Sequence, residues 1–563
     1  MKKDLVRAIL ISDFNLEIFA GYLEHDSQSP KISPTITPFG QVVQVMMDKS
    51  MECWKQSQDI AIVWTRPESV INSFHKALDF DLVTIEQALE EVDIYSDCLL
   101  SLMDRVKILL VPAWTMPINI AAYGMLERKS GIGLTDLLSR MNLRLAENLN
   151  KMKNVFILNS ERWLQLAGEE AFKPKLWYMG KIAFGNPVFR QAVCEIKSAL
   201  TGLMGGAKKI ILVDLDNTLW GGLVGEEGWQ NLKLGGHNPI GEAFTDFQKA
   251  LKSLTRRGIL LGIISKNEES VAMKAIDENS EMILKREDFA GWRINWSDKA
   301  KNILELLEEL RIGTQSAIFI DDHPVERARI RETLPEILVP EWPNDPMFYK
   351  HYLSSLNCFN TPFISSEDKE RTRLYKDESY RKKLKNKLES LDDWLKKLDM
   401  RVVVDGINQA NLQRVSQLFN KTNQMNLTTR RMTEEELLDW VKEKNRRIWT
   451  FRVSDKFGDS GLTGLIAIES EKTEIKVTDF VLSCRVMGRK IEEIMLYIVS
   501  EYGRTRSLKK VTASYLVTKK NNPCYIFWKQ SGFKHDKNTD TFTWNLEKQY
   551  PQPEGIKISS SSD

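Results

Sequence analysis

Three apolar runs end in polar groups that together could move a phosphoryl group. Ile210–Val213 is a run of the kind buried in a parallel sheet, and it ends in Asp214-Leu-Asp216-Asn-Thr218. Carboxylates at i and i+2 point to one side of an extended strand end. Forced together they repel, and a divalent cation relieves that repulsion. A second run, 259–264, ends at Ser265-Lys-Asn267, and a third, Ala317–Ile320, ends at Asp321-Asp322, with Lys299 and Lys301 between them. Aspartates for nucleophilic and acid/base work, a hydroxyl and an ammonium for phosphoryl oxygens, and an acidic pair for a cation make a chemically consistent set. A DxDxT string alone would say little, since surface loops contain such strings.

These residues need a frame that gathers them. Open parallel α/β sheets place their sites at the C-terminal ends of strands, which is where each group falls. From Asp214 to Ser265 is 51 residues, room for a hairpin (220–234) and a helix (241–257). From Ser265 to Lys299 is 34 residues, mostly one helix. Neither interval holds a large cap domain, so the site is expected to stay open to a substrate carried on a macromolecule.

The rest of the chain divides around this unit, and the fold class is α/β, with an α+β third domain. Residues 1–166 alternate apolar runs (8–11, Ile60–Trp64, 108–111, Val155–Leu158) with amphipathic stretches, the rhythm of a parallel-sheet domain. The second α/β unit spans 206–346. A charged stretch at 365–398 reads as a solvated helical linker. A third domain spans 400–547, with strand signals at 401–404, 464–469, Glu474–Leu482 and 510–515, and the tail 551–563 reads as disordered.

Composition excludes several classes. The 563 residues hold 79 Lys+Arg against 77 Asp+Glu, so no basic field points to nucleic acid. No apolar run reaches the ~18 residues of a membrane helix. Asp4 and Asp13 flank the short N-terminal apolar stretch, which argues against a signal peptide. The six cysteines form no CxxC pair, and a reducing cytoplasm is the expected location. Cys53, Cys98, Cys194, Cys358 and Cys524 read as structural.

The ordered set DxDxT, Ser, Lys, Asp-Asp resembles the haloacid dehalogenase (HAD) superfamily of aspartate-nucleophile phosphotransferases. The resemblance implies Asp214 as nucleophile and Asp216 as general acid/base. It implies Thr218, Ser265 and Lys299 at the phosphate, and Asp214, Asp216, Asp321 and Asp322 around Mg²⁺. Lys299 is preferred over Lys301 because Trp296-x-x-Lys299-x-x-Asn302 fits the narrower pattern.

DLDNTLWGGLVGEEGWQNLKLG, INWSDKAKNI, FIDDHPVER, FNKTNQMNLTTRR, FGDSGLTG and FVLSCRVMGRKIEE together resemble the FkbH-like proteins, a HAD branch of polyketide and related natural-product pathways, over nearly the full length. His323 stands where that family usually has Asn. The resemblance implies removal of phosphate from a three-carbon acyl unit of the 1,3-bisphosphoglycerate type and transfer of glycerate to the phosphopantetheine of an acyl carrier protein. The third domain resembles a GNAT acyltransferase. The resemblance implies a phosphopantetheine or coenzyme A site at Arg485, Gly488, Arg489 and Asn522, although Lys490 replaces the usual small residue. Cys484, beside cationic residues before a helix, is a candidate acyl carrier. Asn423, Arg430 and Arg431 are candidate substrate binders. The first domain faintly resembles SGNH hydrolases, with Phe14 where the nucleophilic serine would stand, so it reads as non-catalytic. The alternative is a HAD phosphatase fused to a coenzyme A-dependent N-acyltransferase. A third reading is a non-catalytic carrier-protein docking scaffold.

Overall fold

A computed structural model of the chain describes residues 5–118, 120–121, 123–362, 391–422, 424–518 and 520–560. The chain forms two units, one running to Ala207 and taking in 360–362, the other beginning at Lys208. Most of the proposed linker (365–390) lies outside the described residues, as do Asn423 and positions 561–563.

The first unit is an all-parallel sheet, β1 (Leu5–Ser12), β2 (Lys31–Ile36), β3 (Ile60–Trp64), β4 (Ile108–Pro112) and β5 (Val155–Leu158), in the order β2-β1-β3-β4-β5. It extends well past residue 166. The reason is the helix Asn186–Leu203, whose Val188, Phe189, Ala192 and Ile196 are buried in the same core as Val6, Ala8 and Leu10 of β1. Phe14 is part of that core, edge-on to Trp64 and Phe184. Ser12 is buried, and its Oγ accepts from the Phe14 amide.

The second unit opens with a parallel sheet of β6 (Ile210–Val213), β7 (Leu260–Ser265), β8 (Gly291–Ile294) and β9 (Ala317–Ile320), ordered β8-β7-β6-β9. Every residue of β6, β7 and β9 is buried, which is why these runs are apolar without alternation. β8 carries Trp292 and Arg293, partly exposed at the sheet edge, and adds a strand to an interval read as mostly one helix.

The unit continues with a mixed sheet of β10 (Met400–Gly406), β11 (Met425–Asn426), β12 (Arg446–Asp455), β13 (Gly458–Ser470), β14 (Glu474–Leu482), β15 (Lys510–Ser514), β16 (Lys534–Asp536), β17 (Thr541–Asn545) and β18 (Ile556–Ser560). β14 and β15 run parallel only from Glu474↔Lys510 to Val477↔Ala513. Beyond that the β14 edge is taken by β11, with Asn426 opposite Val481. The helix Ile491–Thr505 connects β14 to β15. The tail is a correction to the sequence reading. β18 pairs in parallel with β10 from Met400↔Ile556 to Val404↔Ser560, because Ile556 finds a buried position at that edge.

Candidate functional site

The C-terminal ends of β6, β7 and β9 bring the predicted phosphoryl-transfer residues together. Asp214 is buried directly after β6, Ser265 closes β7, and Asp321 follows β9. Lys299 arrives from a helix start. Asp298 caps the helix Lys299–Glu309 by accepting from the Ala300 and Lys301 amides at 2.9 and 3.2 Å. That start turns Lys299 inward and leaves Lys301 exposed beside Glu305, which decides between the two lysines.

Lys299 Nζ lies 2.6 Å from Asp321 Oδ2 and 3.0 Å from Asp214 Oδ2. Burial would lower the ammonium, but the two carboxylates outweigh it and hold its pKa above the usual lysine value. Burial and the nearby Asp214 charge push Asp321 up to about 6 against the pull of Lys299. Burial and the Asp214 charge also raise Asp322. One lysine thus does not neutralise the cluster.

Oxygens of Asp214, Asp321 and Asp322 lie within 4.8 Å of one another. Asp214 Oδ1 is buried without a hydrogen-bond partner among the described residues. An all-oxygen set with an orphaned carboxylate oxygen fits a hard divalent cation such as Mg²⁺. Asp216 does not join this cluster. Its Oδ1 accepts from Trp220 Nε1 at 2.8 Å and the Val224 amide at 3.1 Å, and its Oδ2 accepts from Asn267 Nδ2 at 3.0 Å. Thr218 faces Asp322, donating to its Oδ1 at 3.2 Å and accepting from its amide at 3.1 Å, so its hydroxyl orients a carboxylate and is not free for phosphate.

Three supporting residues escaped the sequence reading. Asn267 bonds both Asp216 and Ser265 Oγ. Trp220 is fully buried with its indole N–H on Asp216. Arg327 is buried and donates to the Asp321 and Asp322 carbonyls at 2.8 and 2.6 Å. The hints were the place of Asn267 just after the second apolar run and the inclusion of Trp220 and Arg327 in the motif strings. The expected openness is also qualified: Asp214, Ser265, Lys299 and Asp321 are all buried, and a cleft of about 350 Å³ adjoins Asp322.

The third domain's candidates do not converge in this way. Arg489 is buried, pairs with Asp455 and donates to the Arg485 carbonyl. Gly488, at φ +73°, is exposed, but its N–H is bonded to Glu492 Oε1 at 2.8 Å. Lys490 has φ +58°, a left-handed conformation that accounts for the small residue usual there. Asn522 is exposed at a helix start; the buried amide is Asn521, which donates to the carbonyls of Asn426 and Leu516. Of this loop's backbone amides, the Gly488 N–H is thus engaged by Glu492.

Arg430 pairs with buried Asp479 and stacks over Trp440, and Arg431 donates to the Phe419 carbonyl. Both arginines are engaged by internal groups and are not displayed as free substrate binders. Cys484 opens a 3₁₀ turn, Cys484–Val486, and its side chain lies outside the described residues. Burial pushes the Cys358 and Cys524 thiols up to about 12, in keeping with a packing role.

No family model and no curated protein matches the chain. Among solved structures, the chain is similar to the N-terminal part of the protein BF1531 from Bacteroides fragilis, which contains a phosphatase domain and was solved with Mg. The identity is 28%, covering 64% of this chain and 95% of that one, with a TM-score of 0.58. Matches to a GNAT-family acetyltransferase from Staphylococcus aureus (11% identity, 26% of this chain and 99% of that one, TM-score 0.21) and to a domain from Methanocaldococcus jannaschii (16%, 26% and 99%, 0.22) are also found. Among the described residues no helix is long and apolar enough to cross a membrane.

Proposed function

We propose that the chain is a Mg²⁺-dependent phosphatase of the aspartate-nucleophile kind joined to an acyl-transfer domain. The observation that carries the phosphatase half is Asp214 Oδ1, buried and unpartnered beside Asp321 and Asp322 while Oδ2 is held by Lys299. The phosphatase-domain relative solved with Mg supports it. Lys299 holds the Asp214 carboxylate that attacks phosphorus, and Ser265 and Lys299 neutralise the phosphoryl oxygens. Asp216, oriented by Trp220 and Asn267, gives a proton to the leaving alcohol and then takes one from water. A cation held by Asp214, Asp321 and Asp322 would supply charge neutralisation at the phosphoryl group.

The acyl half rests on the fold of the third domain, where a helix-connected pair of parallel strands carries the Arg485–Lys490 loop at the helix start. A phosphatase fused to a coenzyme A-dependent N-acyltransferase is the simpler form of this reading. Transfer of a glyceryl unit through Cys484 to the phosphopantetheine of an acyl carrier protein is the second. Its support is the place of Cys484 at the start of this loop, directly before Arg485. In that form the Cys484 thiolate attacks an acyl phosphate, inorganic phosphate leaves, and the thioester exchanges with the carrier thiol. The test is intact-mass analysis of carrier protein and of amine acceptors incubated with the chain, Mg²⁺ and either donor. Carrier loading abolished by Cys484→Ala supports the second form; amine acylation insensitive to it supports the first. Absence of phosphate release from any ester refutes the phosphatase half.

A further inference from the structure

Asp214, Ser265, Lys299 and Asp321 are buried at their strand ends, and part of what covers them is held by charge. Lys266 follows Ser265 at the end of β7. Its Nζ lies 2.6 Å from Oε1 of Glu326, which stands in the first turn of the helix Pro324–Thr333 that follows β9. In the sheet, β6 lies between β7 and β9. Two strand spacings, ~10 Å, separate those flanks. The ion pair therefore spans the end of β6, which carries Asp214.

A second tie fixes the direction of that span. Arg329, three residues on and on the same face of the helix, donates through Nε to Asp298 Oδ2 at 2.5 Å. Asp298 caps the helix that bears Lys299. The helix that starts beyond β9 thus turns one face back across β6, toward the segments that follow β7 and β8. The two ties differ in burial. The Glu326 side chain is 17% exposed, and its Oε2 is buried with no partner among the described residues. Its carboxylate depends on Lys266 for compensation, which holds the pair closed at rest. Lys266 is 39% exposed, so solvent and salt reach its ammonium and keep the pair breakable. Among the described residues neither partner bonds to Asp214, Asp321 or Asp322, which separates the pair from the charge balance of the acidic cluster. Neither lines the cleft beside Asp322, so the pair covers a different side of the site.

We propose that the Lys266–Glu326 ion pair is a strap over the phosphoryl site and that it sets how large an ester reaches Asp214. The size role rests on the phosphatase reading; the strap itself does not. A partly exposed ion pair is a weak closure, so opening it changes access by about two- to five-fold.

The experiment uses the full chain. Ser265→Cys puts a thiol beneath the strap, and its alkylation by iodoacetamide, a neutral reagent, is followed by peptide mass spectrometry. Adding Lys266→Met or Glu326→Gln should speed alkylation about two- to five-fold. The charge swap, Lys266→Glu with Glu326→Lys, should return the slow rate. Added salt should speed alkylation with the strap intact and leave it flat in Lys266→Met. With Mg²⁺ and Ser265 in place, Lys266→Met should raise kcat/KM for 1-naphthyl phosphate relative to ethyl phosphate by about the same two- to five-fold. Alkylation that neither single variant speeds overturns the strap. An unchanged ester ratio in a variant that alkylates faster overturns its size role. Faster alkylation with no phosphate released from either ester keeps the strap and fails the phosphatase. Turnover of both esters with alkylation insensitive to the pair does the reverse.

Discussion

Lys299 Nζ sits 3.0 Å from Asp214 and 2.6 Å from Asp321, so one buried ammonium ties the candidate nucleophile to the acidic pair on the neighbouring strand. Removing it leaves two carboxylates buried together. Breaking a buried pair costs ~3–5 kcal/mol, because the stranded charge stays desolvated. Lys299→Met should therefore lower the unfolding temperature in chelator and regain more of it than wild type when Mg²⁺ is added. Phosphate release should fall at least ~100-fold, and Lys299→Arg should not restore it, since a planar fork does not fit a point-charge position. Equal Mg²⁺ stabilisation of variant and wild type would contradict the assignment.

Asp214→Asn keeps size and the contact with Lys299 but loses the attacking charge. Phosphate release should drop by at least ~10³, equivalent to ~4 kcal/mol of barrier. Chelation should silence wild type to a similar level. The measurement is initial phosphate release from a model ester, and turnover near wild type in the variant would remove Asp214 from the nucleophile role.

Asn267 joins the candidate phosphate hydroxyl to the candidate acid/base through a single amide, 3.0 Å from Asp216 Oδ2 and 3.2 Å from Ser265 Oγ. An amide can donate to an ionised Asp216 and, turned over, accept from a protonated one. Asn267→Ala should lower kcat about ten-fold with a smaller effect on KM. Asn267→Asp sets a like charge beside Asp216 and should shift the acidic limb of the pH–rate profile upward. A profile unchanged in both variants would reduce Asn267 to a packing residue.

What could be read from the sequence follows from where each residue's information resides. Asp214, Ser265 and Asp321 were legible because strand runs of four to six apolar residues end at them, and strand ends place side chains predictably. Lys299 over Lys301 was chosen on the Trp296-x-x-Lys299-x-x-Asn302 pattern, and the helix start at Asp298 is the physical reason it turns inward. The pairing of Arg430 with Asp479 was not legible, because the partner lies 49 positions away and a polar run does not say whether it faces a ligand or the protein. The tail strand was missed for a related reason: Ile556 and Ile558 alternate over only one repeat, and the stretch becomes a strand because β10 offers an edge. Trp220 gave no signal of a polar role, since a buried tryptophan is ordinarily core.

Glu492 supplies a pH-dependent test of the third domain. It is 3% exposed, its Oε1 accepts from the Gly488 amide, and its Oε2 has no partner among the described residues. Burial raises its pKa from 4.5 to about 7, with the Gly488 amide opposing. A carboxyl whose folded pKa is raised is tolerated best while neutral in both states. Its stabilising contribution is therefore full below about 4.5 and is lost as pH rises through about 7. Glu492→Gln keeps an acceptor for the Gly488 amide and carries no charge at any of these values. Thermal unfolding of the full chain, compared between wild type and variant from pH 5 to pH 8, should show wild type losing ground as pH rises, with most of the change complete by about pH 7.5. A parallel pair of curves would mean that Glu492 is ionised throughout, stabilised by a cation near the Arg485–Lys490 loop.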